Sequence, residues 1–194
     1  MTDLNAIYLS AAVVLAAALI IYRLTRGQDA MEAKPAPGSD FARFGGEVRL
    51  RDLYRLAVML EEEGIALYLK LAQLAEDDAT RKLCMRLADD EEEHRQLFRE
   101  RLERWRSLHP NRVTWPAFLE QVKLEGLFDN PPGPKAEEKA MAAFAIRQER
   151  RTVEFYRMFE QAFPDAWRRD KLRDLVDQEM SHEQKLREAY PDIA

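Results

Sequence analysis

The chain has 194 residues and a formal charge of −5, which leaves room for one ordinary domain and excludes a basic footprint for nucleic acid. Charged residues make up 34% of it and glycines number only 7, the balance of a protein built from long helices. Its single cysteine, Cys84, excludes an intrachain disulfide and any Cys-x-x-Cys metal knuckle.

The first 26 residues stand apart. From Leu4 to Tyr22 the chain is apolar except for Asn5 and Ser10, a run of about 19 residues that as a helix spans roughly one hydrocarbon thickness. Asp3 precedes the run, and Arg23 and Arg26 follow it. A cleaved leader ordinarily begins with positive charge, and basic residues mark the cytoplasmic flank. Residues 1–26 therefore read as a single-pass transmembrane anchor in the inner (cytoplasmic) membrane, with the rest of the chain in the cytoplasm. An export signal is the alternative. Residues 27–46 (GQDAMEAKPAPGSDFARFGG) hold two prolines and four glycines without an apolar period and read as a flexible linker. Residues 47–194 are the folded domain.

Helical periodicity begins there. Tyr54, Ala57, Glu61, Gly64, Tyr68, Leu71 and Ala75 trace one seam of a helix over about 47–75. After the acidic turn Glu76-Asp77-Asp78, with Asp78 as the expected N-cap, a second helix carries Cys84, Leu87, Glu91, His94, Phe98 and Trp105 on its seam. Residues 107–135 interrupt the pattern: Trp115 to Leu127 predicts a short helix, and Asn130-Pro131-Pro132-Gly133-Pro134 a break. The third helix, about 136–162, runs through Ala142, Ala145, Glu149, Val153, Tyr156 and Phe159. The turn Phe163-Pro164-Asp165 leads to the fourth, 166–189, through Leu172, Leu175, Glu179, His182 and Leu186. The expected fold is all-α, an antiparallel four-helix bundle with a long crossover carrying a short helix.

The seams hold charges where apolar side chains belong, and they do so twice. Glu61, Tyr68, Glu91 and His94 recur as Glu149, Tyr156, Glu179 and His182, each displaced by 88 positions. The first turn lies midway between Glu61 and Glu91, and the second midway between Glu149 and Glu179, so each pair faces across its own hairpin. A buried ionised carboxylate is costly unless compensated. Four together require cations, and two divalent ions balance four glutamates while two neutral histidines add nothing. The Glu-x-x-His spacing places both side chains on one helix face, one turn apart. Glu91 and Glu179 can then bridge two metals, His94 and His182 cap one each, and Glu61 and Glu149 are terminal. Oxygen-rich donors with one imidazole per metal suit iron or manganese rather than structural zinc. Tyr68 and Tyr156 are candidates for a site-adjacent role. Glu62, Glu63, Asp90, Glu92 and Glu93 read as solvated faces, Cys84 as a buried small apolar residue, His109 as an exposed residue near a loop, and Trp105, Trp115 and Trp167 as packing.

Residues 50–190 resemble the ferritin-like superfamily, and in particular its rubrerythrin-like di-iron branch. The resemblance rests on Glu61 and Glu149 with Tyr68 and Tyr156 seven residues on, on both Glu-x-x-His motifs, and on the phrase Leu87-Ala88-x-x-Glu91-x-x-His94. It implies two iron ions on Glu61, Glu91, His94, Glu149, Glu179 and His182, and tyrosines near the site at Tyr68 and Tyr156. The function it implies is peroxide-reducing or oxygen-activating oxidoreductase chemistry in oxidative stress. The alternatives are ferroxidase-type iron handling and, less favoured, hydroxylation of a lipid-soluble substrate. A homodimer is a family-level expectation. Two departures stand out. There is no four-cysteine rubredoxin domain, so electrons would come from a separate protein. Thr152 stands where classical members have an additional glutamate.

Overall fold

The computed structural model describes residues 14–19, 30–44, 48–109, 131–133, 135–169 and 172–193. Among the described residues of the domain the α-helices are α1 (Leu50–Leu74), α2 (Asp78–Leu108), α3 (Glu138–Ala162), α4 (Pro164–Arg169) and α5 (Leu172–Ala189). No strand occurs among the described residues. α1 lies along α2 and α3 along α5, giving two helical hairpins that meet mainly through α1 and α3.

The turns set the level of everything between them. α1 closes with the Ala75 amide donating to the Leu71 carbonyl at 2.9 Å. Asp77, rather than the expected Asp78, caps α2, its carboxylate accepting from the Thr80 amide at 2.8 Å. Asp78 is the first helical residue and pairs with Lys82 one turn on, at 2.6 Å, where a negative charge also favours the helix N-terminus. The second turn differs from the expectation. Pro164 has no amide proton to lose and opens α4 two residues ahead of the predicted start, and α5 carries the described chain on from Leu172.

Apolar seams meet in two clusters. At one end Tyr54, Phe98, Trp105, Phe155, Tyr156, Phe159 and Trp167 form an aromatic core, with edge-on contacts such as Tyr54 to Phe98 and Tyr54 to Phe159, 5.7 and 5.6 Å between centroids. At the other end the core is mostly aliphatic, with Leu67, Leu71, Leu87, Ile146 and Leu186 around Tyr68 and Phe144. Cys84 is fully buried there. Burial pushes its thiol up to about 11, so it behaves as the small apolar residue expected. Trp105 and Trp167 are buried packing residues. His109 is not free in solvent. Its ring stacks on Trp105 at 5.2 Å and its Nδ1 lies 3.1 Å from the Trp105 carbonyl.

The reading of 27–46 as a flexible linker is corrected for its described residues, 30–44. Met31 and Phe41 are buried in the aromatic core, and Phe41 meets the Phe155 ring edge-on at 5.9 Å. The Ala36 amide donates to the Ala162 carbonyl at 2.8 Å, and the Leu50 amide to the Ala33 carbonyl at 2.9 Å. Arg51 pairs with Glu32 and lies over the Trp105 ring. The segment is a strap across the end of the bundle. Two apolar anchors ten residues apart suffice for this and leave no periodic trace, and Gly38, at φ +81°, supplies a left-handed corner.

Residues 14–19 are helical and exposed. Most of the expected anchor, 1–26, lies outside the described residues, as does the short helix expected at 115–127. Among the described residues no helix is long and apolar enough to cross a membrane.

Candidate metal centre

Midway along the bundle, between the two apolar clusters, lies a charged layer. Glu61 from α1, Glu91 and His94 from α2, Glu149 from α3, and Glu179 and His182 from α5 are all buried. They converge in two overlapping groups. Glu61, Glu91, His94 and Glu179 form one, and Glu91, Glu149, Glu179 and His182 the other, with the ligand atoms of each within 4.8 Å of one another. Glu91 and Glu179 belong to both. Each remaining glutamate–histidine pair comes from a single hairpin: Glu61 with His94, and Glu149 with His182.

Both imidazoles present Nδ1 to this layer. His94 Nδ1 lies 3.1 Å from Glu91 and 3.1 Å from Glu179. His182 Nδ1 lies 3.1 Å from Glu91 and 3.6 Å from Glu179. The rings stack at 5.9 Å, 15° from parallel. Each outward Nε2 is held by the opposite hairpin. His94 Nε2 donates to the Gln178 side-chain oxygen at 2.5 Å, and His182 Nε2 donates to Asp90 at 3.2 Å. Such bonds fix the tautomer that leaves Nδ1 free to ligate. The tyrosines cross over too. The Tyr68 hydroxyl donates to Glu149, and the Tyr156 hydroxyl to Glu61.

Asp90 thus leaves the group of solvated acids in which the sequence placed it, and Gln178 had not been singled out. Both were within reach of the repeat, since they share the 88-residue register and each sits four residues before a histidine. Their half-exposed positions concealed them. Glu62, Glu63, Glu92 and Glu93 are exposed, as read.

Protonation shows what such a layer costs without cations. Burial, then repulsion from Glu91, pushes Glu61 up to about 8. Burial and the charges of Glu179 and Glu91 hold Glu149 well above the carboxylate range. Burial opposes charge on the histidines, yet the surrounding carboxylates outweigh it: His182 rises to about 9 under Glu179 and Glu91, and His94 is raised further. Glu91 and Glu179 stay below their ordinary value despite burial and despite repulsion from Glu179 and Glu61 respectively, because both histidines bond to them. Protons occupy the layer where divalent ions would balance it.

The donors fit two metals on a second count. Glu149 Oε2 is buried and accepts no hydrogen bond, a cost of about 1–3 kcal/mol that a cation would remove. Gly64 lets α1 approach this close, because an added Cβ there would stand 3.3 Å from Glu91 Cγ. Thr152, at the place of the additional family glutamate, turns its hydroxyl back to the Gln148 carbonyl at 3.1 Å and brings no further carboxylate.

An all-helical bundle whose facing helices each contribute carboxylates, with imidazoles on two of them, belongs to the ferritin-like class. Within that class the chain belongs to the rubrerythrin family, whose sequence model, described as Rubrerythrin, matches residues 52–190. No curated protein and no solved structure matches it. Family and buried clusters together fit a di-iron site.

Proposed function

We propose that this protein is a di-iron oxidoreductase that reduces hydrogen peroxide or activates oxygen at the paired carboxylate–histidine clusters. The observation that carries the reading is the sharing of Glu91 and Glu179 between two buried groups, each completed by one glutamate and one histidine. Four carboxylates and two neutral imidazoles balance two divalent ions. Iron bound there supplies the electrons that reduce an O–O bond, and manganese suits the same donors.

The chain's own residues have three tasks. Glu91 and Glu179 hold the two positions together. Asp90 and Gln178 orient the histidines. Tyr68 and Tyr156, whose ionisation burial and neighbouring carboxylates suppress, are protonated groups bonded to Glu149 and Glu61, placed to hold or pass a proton. The single cysteine, Cys84, offers no four-cysteine iron site within these residues, which supports electron delivery from outside this domain. The apolar run Leu4 to Tyr22, flanked by Arg23 and Arg26, supports an anchor at the cytoplasmic membrane face.

The test loads the full-length protein with ferrous iron anaerobically and mixes it with peroxide or oxygen in a stopped-flow spectrometer. Rapid oxidation of two irons per chain, repeated on re-reduction, is the expected result. Ferric iron accumulating well beyond two per chain would instead favour ferroxidase-type iron handling.

A further inference from the structure

Beside the charged layer a cavity of about 370 Å³ opens between α1, α3 and residues 131–133, at the small end of the roughly 300–1,000 Å³ range of small-molecule sites. Its walls are mainly apolar, with Leu60, Leu67, Met141 and Phe144 among them, and it reaches Glu61, Glu91 and Glu149. Peroxide and oxygen need no such volume. Gln148 also lines it. That side chain is nine-tenths buried, and its Oε1 has no hydrogen-bond partner. A buried amide oxygen without a donor is costly, and an occupant that brings a donor removes the cost. Gly64 and Thr152, related by the same 88-residue register and each three residues after a site glutamate, both line the cavity.

We propose that this cavity binds a neutral, mainly apolar organic molecule carrying a hydroxyl group, its apolar body among Leu60, Leu67, Met141 and Phe144 and its hydroxyl donating to Gln148. Mainly apolar walls select against a charged ligand, and the lining carboxylates Glu61, Glu63, Glu91 and Glu149 outnumber the one lining lysine, Lys70, and repel an anion. The inference deepens the proposed oxidoreductase reading by naming an organic ligand class for the same centre, while the cavity itself is defined by protein atoms alone.

The experiment titrates the full-length protein, metal-free and iron-loaded, with 4-propylphenol, propylbenzene and 4-propylbenzoate by calorimetry. The expected result is saturable binding of the phenol in both forms, about tenfold weaker binding of propylbenzene, and none of the benzoate. Ala66→Trp, at the exposed rim, and Met141→Trp, in the wall, should each abolish phenol binding, and Gln148→Leu should erase the preference for phenol over propylbenzene. Absence of phenol binding, or binding indifferent to both tryptophan substitutions, overturns the proposal whatever the metal content. Loss of iron binding with phenol binding intact counts against the metal centre and supports the cavity.

Discussion

The two hairpins offer the same four groups to the centre and surround them differently. Glu61, Tyr68, Glu91 and His94 on α1–α2 have counterparts in Glu149, Tyr156, Glu179 and His182 on α3–α5. Around them the register pairs Asp90 with Gln178, Gly64 with Thr152 and Phe98 with Leu186. The groups that would balance metal charge are duplicated because each position needs its own glutamate and histidine, whereas their neighbours answer to local packing and have diverged. One consequence is chemical. His182 leans on the charged Asp90 and His94 on the neutral Gln178. A carboxylate partner makes an imidazole a stronger donor, so the two positions share a ligand list and differ in electronic character.

Substitutions separate what is shared from what is not. Glu91→Ala combined with Glu179→Ala removes the carboxylates common to both groups, and metal analysis of the purified variant should fall from two ions per chain to none. Glu61→Ala touches only the α1–α2 position, so the expected stoichiometry is near one. Asp90→Asn keeps a polar partner for His182 and removes its charge. It should weaken one of the two binding steps by about tenfold and bring the two steps together, as read by competition with a chelator. Unchanged, still separate steps would show that Asp90 is not the source of the difference.

The tyrosines should behave alike where Asp90 and Gln178 do not. Tyr68→Phe and Tyr156→Phe each keep the ring and strip one hydrogen bond from a buried glutamate. Each should lower the stability of the metal-free protein by about 1–3 kcal/mol, measured by urea unfolding. A large inequality would locate the asymmetry in the aromatic and aliphatic ends of the core instead. The last expected effect is on pH. Glu61 moves from 4.5 to about 8, and His182 from 6.5 to about 9. Between about pH 4.5 and 9 the folded state therefore holds more protons than the unfolded one, and stability falls as pH rises. The melting temperature of the metal-free protein should drop from pH 6 to pH 9. Metal binding should tighten over the same range, since the ligands must shed those protons.

The ligand layer was legible because it violates the seam. A carboxylate every 88 residues on an apolar face, level with its partner across a turn, has few physical explanations. Asp90 was harder to see. Its helix face is half open to solvent, and only the opposite hairpin's His182 gives it a role, so no pattern within α2 distinguishes it from Glu92 or Glu93. The strap failed for a related reason. Met31 and Phe41 dock by tertiary contact and carry no period, and the prolines and glycines that shape their turns are also the composition of a linker. The second turn differed because Pro164 can end a helix or begin one, and a single sequence does not say which.

Anaerobic equilibrium titration of the full-length, metal-free protein with ferrous iron tests the central claim most directly. The account predicts two tightly bound ions per chain, in steps of unequal affinity. Saturation at a single ion, or no tight binding, would contradict it.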